Sequence, residues 1–132
     1  MKLSQIGKPV VLEMDFVDPY TDEPTDIKIK FNSIKSKIGK ESLHNMQLKL
    51  IELKKDDAEK EISVDEMKNI NIDLLCDLFV SISGLEDEDG KAIKSSKNSF
   101  KSALDESDEL LNSCIIFVTK TGNFSGKKES DL

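Results

Sequence analysis

"DLLCDLFVSISGLEDEDGKAIKSS", residues 73–96, runs an almost wholly apolar stretch into a short acidic turn, and its periodicity decides how the rest of the chain packs. Upstream, Ser63 followed three residues later by Glu66 forms a capping-box signature, and Gly84 stands where a left-handed C′ residue is wanted. The spacing predicts one long helix between them. Met67, Ile70, Leu74, Leu75, Leu78, Phe79 and Ile82 form its apolar stripe, widened by Ile72, Cys76 and Val80. What remains polar is a narrow ridge of Asn69, Asp73, Asp77 and Ser81. A helix apolar over most of its circumference must be enclosed. It is either the central helix of the domain or the wall of a groove that another protein fills.

Downstream, "GLEDEDGKAI" is a turn, "SSKNSFKSALDES" carries a short helix with Phe100, Ala103 and Leu104, and "SDELLNSCIIFVTKTGNF" carries a last one. Ser107 is the expected N-cap of that helix and Gly122 its stop, with Asp108 and Glu109 at the positive end of the dipole. The "CIIFV" run also fits a buried strand. The helical spacing of Leu110, Leu111, Cys114, Ile115 and Val118 favours helix. Residues 125–132 read as a flexible tail.

Before the long helix, Leu43, Met46, Leu50 and Leu53 recur at three- and four-residue steps from about Lys40, with Ile51 flanking, which predicts another helix. The charged run 54–61 is its solvated end and linker. At the N-terminus, Val10, Leu12, Met14 and Phe16 alternate with Val11, Glu13, Asp15 and Val17; after a turn rich in Asp and Pro, Ile27, Ile29 and Phe31 alternate with Lys28 and Lys30. Residues 9–32 are therefore a hairpin with one apolar face. Two strands alone are marginal in water, so that face packs on the helices or on a partner, and a homo-oligomer stays open. The expected architecture is α+β in a single domain over residues 1–124: an N-terminal hairpin packed against about four helices spanning 40–122.

The chain carries 19 Lys and no Arg among 132 residues, and a net charge of −7. Residues 1–60 balance 11 Lys against 11 acids, whereas residues 61–132 hold 8 Lys against 15 acids. Without the guanidinium fork, phosphate and guanine recognition is disfavoured, so no nucleic-acid partner is expected. No stretch approaches a membrane span and no signal peptide is legible, which places the chain in the cytoplasm with no membrane partner. Cys76 and Cys114 lack metal-ligand spacing and read as buried free thiols.

Candidate chemistry is sparse. Asp87, Asp89 and Gly90 mimic part of a calcium loop, but Leu85 and Ser96 occupy its first and twelfth positions, so a tight turn with Gly90 at positive φ is the better reading. The carboxylates of Asp105, Glu106, Asp108 and Glu109 are explained by helix capping. His44, the single histidine, sits beside Asn45 on a polar part of its helix. No nucleotide-binding or nucleophile-elbow motif is present. No enzymatic activity, catalytic residue, cofactor or metal is therefore expected. Surplus apolar surface in an acidic, lysine-rich chain is the profile of an interaction protein.

The order of features resembles a known family. "IGKPVVLEMDFVDPYTDEPTDIKIKFNSI" is similar to the opening hairpin of tail assembly chaperones of long-tailed bacteriophages, and "DLLCDLFVSISGLEDEDGKAIKSSKNSFKSALDESDELLNSCIIFV" resembles that family's second half. The similarity spans roughly residues 7–124. The family often carries Trp at the position of Ser83 or Gly84 and Pro after Gly90, and this chain has neither. The resemblance implies a protein of the host bacterial cytoplasm, absent from the mature virion. It would bind the tape-measure protein, keep it soluble and help bring tail tube subunits to it. It also raises the possibility of a frameshifted longer product near Gly126-Lys127-Lys128.

The residues expected to touch such a partner are Met67, Ile70, Leu74, Leu78, Phe79, Ile115 and Phe117; each of them alone fits the core better, and its exposure decides between the two. Other readings are a structural tail or head–tail connector protein of the virion and, less favoured, an acidic inhibitor that mimics DNA.

Overall fold

The computed structural model describes residues 11–57, 59 and 61–123; the expectations for residues 9, 10 and 124–132 lie outside them. The fold is α+β, a three-stranded antiparallel sheet in the order β1-β2-β3 with four helices. β1 (Val11–Val17) and β2 (Pro24–Asn32) form the hairpin, with Leu12 opposite Phe31 and Met14 opposite Ile29. The alternation decides which face is wet. Met14, Ile29 and Phe31 are buried, while Glu13, Asp15, Lys28 and Lys30 face solvent, where Lys28 and Asp15 pair at 3.3 Å.

The third strand corrects the sequence reading. Helix α2 (Val64–Leu78) stops five residues earlier than expected, and Phe79–Ser83 is β3, paired with β2. The register runs Lys28 with Ser83, Ile29 with Ile82 and Lys30 with Ser81, and then Phe31 with Phe79, so that Val80 is an extra, bulged residue. The bulge explains the misreading. In a regular strand, residues three apart face opposite ways; one extra residue brings Phe79 and Ile82 to the same face and reproduces helical spacing. Pairing also turns β2 into a central strand whose apolar residues are covered. Gly84 does take φ +81°, but at the end of β3, where a Cβ would collide with the Asp26 carbonyl.

Helix α1 (Lys37–Leu53) begins earlier than expected because Ser36 caps it, its Oγ accepting the Gly39 N–H at 3.0 Å. Gly39 fits there because any side chain would strike the Ser33 carbonyl. In α2 the capping box forms as read: Ser63 Oγ accepts from the Glu66 N–H at 3.1 Å, and the Glu66 carboxylate accepts from the Ser63 N–H at 3.3 Å. Helix α3 (Lys97–Glu106) meets α4 (Asp108–Asn123) through Ser107 alone, whose Oγ accepts the Leu110 N–H at 3.1 Å. Residues 113–118 are helix, not strand.

The core lies between the apolar face of the sheet and α2, α3 and α4. Phe31 and Phe100 are fully buried and meet edge to face at 5.7 Å, and Phe117 approaches Phe31 at 6.2 Å. Each such ring contributes roughly 1.5–3 kcal/mol by burial. Helix α2 is the central element: Ile72, Leu75, Cys76 and Leu78 face this core, while α1 lies along its other side.

Candidate functional site

The two apolar sides of α2 decide where the expected partner residues go. Leu78 (0% exposed) and Leu74 (4%) belong to the core, and Ile70 (6%) is buried without joining the main core cluster. Phe79, Ile115 and Phe117 are partly buried and packed against that core. Met67 alone of the seven is exposed, at 39%. They do not form one surface: Met67 lines clefts at the start of α2, whereas Phe117 lines a cleft of about 430 Å³ between β1 and α4, with Met14, Val17 and Ile116.

Exposed apolar surface instead gathers where the C-terminal end of α1 meets the N-terminal end of α2. An open cleft of about 500 Å³ is lined by Leu50, Ile51, Lys54, Lys55, Ile62 and Met67. A neighbouring cleft of about 560 Å³ shares Ile62 and Met67 and continues past Val64 to Leu111 on α4. Val64 is 84% and Ile51 65% exposed. Together they form an apolar valley around the first turns of α2. One wall carries an ion pair, Lys68 reaching Asp108 at 3.3 Å and donating to the Asp105 carbonyl at 3.1 Å; further along α2, outside the valley, Lys49 of α1 meets Asp73 at 2.6 Å.

The sequence carried a partial signal for this site. Ile51 stands off the stripe of α1, as does Leu48, and an apolar residue outside a helix's packed face marks unpartnered surface. Val64 and Ile62 carried none, because their exposure depends on how α1 and α4 bracket the capping segment.

The remaining polar groups serve local structure. The Asp87 carboxylate accepts the N–H groups of Asp89 and Lys91 at 2.9 and 3.0 Å, with Gly90 at φ +81°, which is a self-satisfied turn. Glu109 in the first turn of α4 accepts the Tyr20 hydroxyl at 2.5 Å; that hydrogen bond holds the Glu109 carboxyl below its ordinary value and the Tyr20 phenol above its own. Burial pushes the Cys114 thiol up to about 12, and it raises Cys76 against the opposing influence of Lys101 and Lys97. His44 is exposed on α1 and lines neither cleft of the valley. Among the described residues, no three His, Cys, Asp or Glu side chains gather in a way that could hold a metal ion, and no helix is long and apolar enough to cross a membrane. The valley thus presents apolar side chains of α1 and α2 in two adjoining open clefts.

No family model, curated protein or solved structure matches this chain.

Proposed function

We propose that this protein is a non-enzymatic assembly chaperone of a long-tailed bacteriophage or prophage, holding apolar helix of the tape-measure protein until the tail tube encloses it. The observation that carries this reading is the valley at the α1–α2 junction, where Ile51, Val64 and Met67 expose apolar surface around the half-buried Ile62, beside a fully formed core. An amphipathic helix laid in such a groove buries its own stripe and is kept from aggregating. Several copies along one long guest add avidity without strong individual contacts, which suits a cover that must later be released. The similarity of residues 7–124 to tail assembly chaperones supports the same role. Under this reading the protein works in the host cytoplasm, recruits tube subunits and is left out of the finished particle.

Co-expression with the tape-measure protein from the same phage genome tests it. The wild-type chain is expected to keep that protein in the soluble fraction, and Ile51→Lys combined with Met67→Lys to lose the effect while remaining folded. A tape-measure protein equally insoluble with and without the wild-type chain overturns the reading. Mass spectrometry of purified particles separates it from a structural tail or connector protein, which would be present in stoichiometric copies.

A further inference from the structure

Helix α1 is attached differently from the rest of the fold. Its substantial contacts are with α2 alone, and its only buried residues, Gly39 and Ser42, lie at its N-terminal end beside the Ser33–Ser36 turn. Further along, Leu43 and Met46 are half-buried and pack against the core cluster, Leu50 and Leu53 are half-buried without reaching it, and Leu48 and Ile51 are exposed. A small cavity of about 20 Å³ lies at the α1–α2 contact, lined by Met46 and Lys49 of α1 and by Ile70, Asp73 and Leu74 of α2. Ile70 is thus buried by α1 without belonging to the main core cluster. An element held by few buried apolar contacts opens at lower free energy than the core does. Met67, Ile70 and Leu74 follow one another along α2, so the valley that begins at Met67 continues beneath α1.

We infer that α1 is a displaceable cover, pivoting at its buried N-terminal end, and that the α2 face beneath it receives a basic amphipathic helix in its place. The chemistry of that occupant follows from α1 itself. The apolar strip of Met67, Ile70 and Leu74 is bordered by Asp73, and Asp77 follows one turn on; α1 answers with leucine and methionine and with Lys49, which meets Asp73 at 2.6 Å. A competing helix needs the same pattern, an apolar stripe flanked by a lysine or arginine. The inference takes the identity of the guest from the chaperone reading, but its test does not depend on that reading.

Two measurements on the full chain test it. In Ile70→Cys, the new thiol is expected to react with an aromatic disulfide reagent at least about a hundredfold faster than Cys114 in the same molecule, because local lifting of α1 precedes global unfolding. Equal rates overturn the inference. Lys49→Glu, at an exposed position, sets two carboxylates against each other and is expected to speed that reaction by about three- to tenfold. A fluorescent peptide copying residues 36–55, which keeps the lysine, should then bind the Lys49→Glu chain tighter than wild type by the same factor, since apparent affinity scales with the open fraction. Equal affinity, or none for either chain, overturns the basic helix as occupant. A chain that passes both tests yet fails to solubilise a tape-measure protein keeps this inference and loses the chaperone reading. The reverse pattern loses the inference alone.

Discussion

Phe79 stacks on Phe100, with ring centroids 4.6 Å apart and planes 15° from parallel, and this pair joins β3 to α3. Phe100 is fully buried, so Phe100→Ala should lower stability by about 3–5 kcal/mol, with Phe79→Ala costing less because its ring is only partly covered. A double-mutant cycle in urea should return a coupling of about 0.5–1.5 kcal/mol, and strictly additive costs would refute a specific ring contact.

Deleting Val80 distinguishes strand from helix at residues 79–83. In the bulged strand the deletion removes the unpaired residue and leaves Phe79 and Ile82 on one face, so a cooperative urea transition should persist. Deleting Cys76 within α2 instead rotates everything beyond it by about 100° around the helix axis and should abolish the transition. Loss of folding in both deletions would contradict the bulge.

Gly84 and Gly90 share φ +81° but differ in surroundings: a Cβ on Gly84 collides with the Asp26 carbonyl, whereas on Gly90 the nearest atom is the flexible Glu86 carboxylate at 3.7 Å. Gly90→Ala should cost about 1–2 kcal/mol from the left-handed backbone alone. Gly84→Ala should cost more, because β2 and β3 must separate to admit the methyl group. Thermal or urea unfolding of the two variants ranks them directly.

The Tyr20–Glu109 hydrogen bond ties the β1–β2 turn to the start of α4 and sets a pH window. Glu109 is held below its ordinary value of 4.5, so its contribution is present above that value and is lost as pH falls through the lower, folded one. Tyr20 is raised above 10.0, so its contribution is present below that value and is lost as pH rises through the folded one. The stability difference between wild type and Tyr20→Phe should therefore be flat at neutral pH and shrink at both extremes. A difference that is constant from acid to strong base would show that the hydroxyl contributes nothing.

Much of this architecture was legible because local rules and tertiary packing agree. The hairpin followed from strict alternation, the start of α2 from Ser63 and Glu66, and the start of α4 from Ser107, each satisfied by the bond its residue type supplies. The reading failed at Phe79–Ser83, where a bulge counterfeits the helical period and only the neighbouring strand β2 reveals the difference. The candidate site was less legible. Periodicity finds apolar faces but does not say which of two faces stays covered. Ile70, Leu74 and Leu78 are apolar because α2 is packed on both sides, while Val64 and Ile62 gain their exposure from the positions of α1 and α4.

Helix α2 passes into β3 with no connecting residue, since Phe79 is both the C-cap of one and the first residue of the other. The change of direction is made at Phe79 itself (φ −59°, ψ 133°), whose ring is stacked on Phe100 of α3, so packing of that ring ties the bearing of the helix to the strands. Under the proposed chaperone role, a guest seated along α2 would inherit that bearing. Successive copies on one long guest would then present their sheets at angles set by the guest's own helical repeat, like vanes on a shaft.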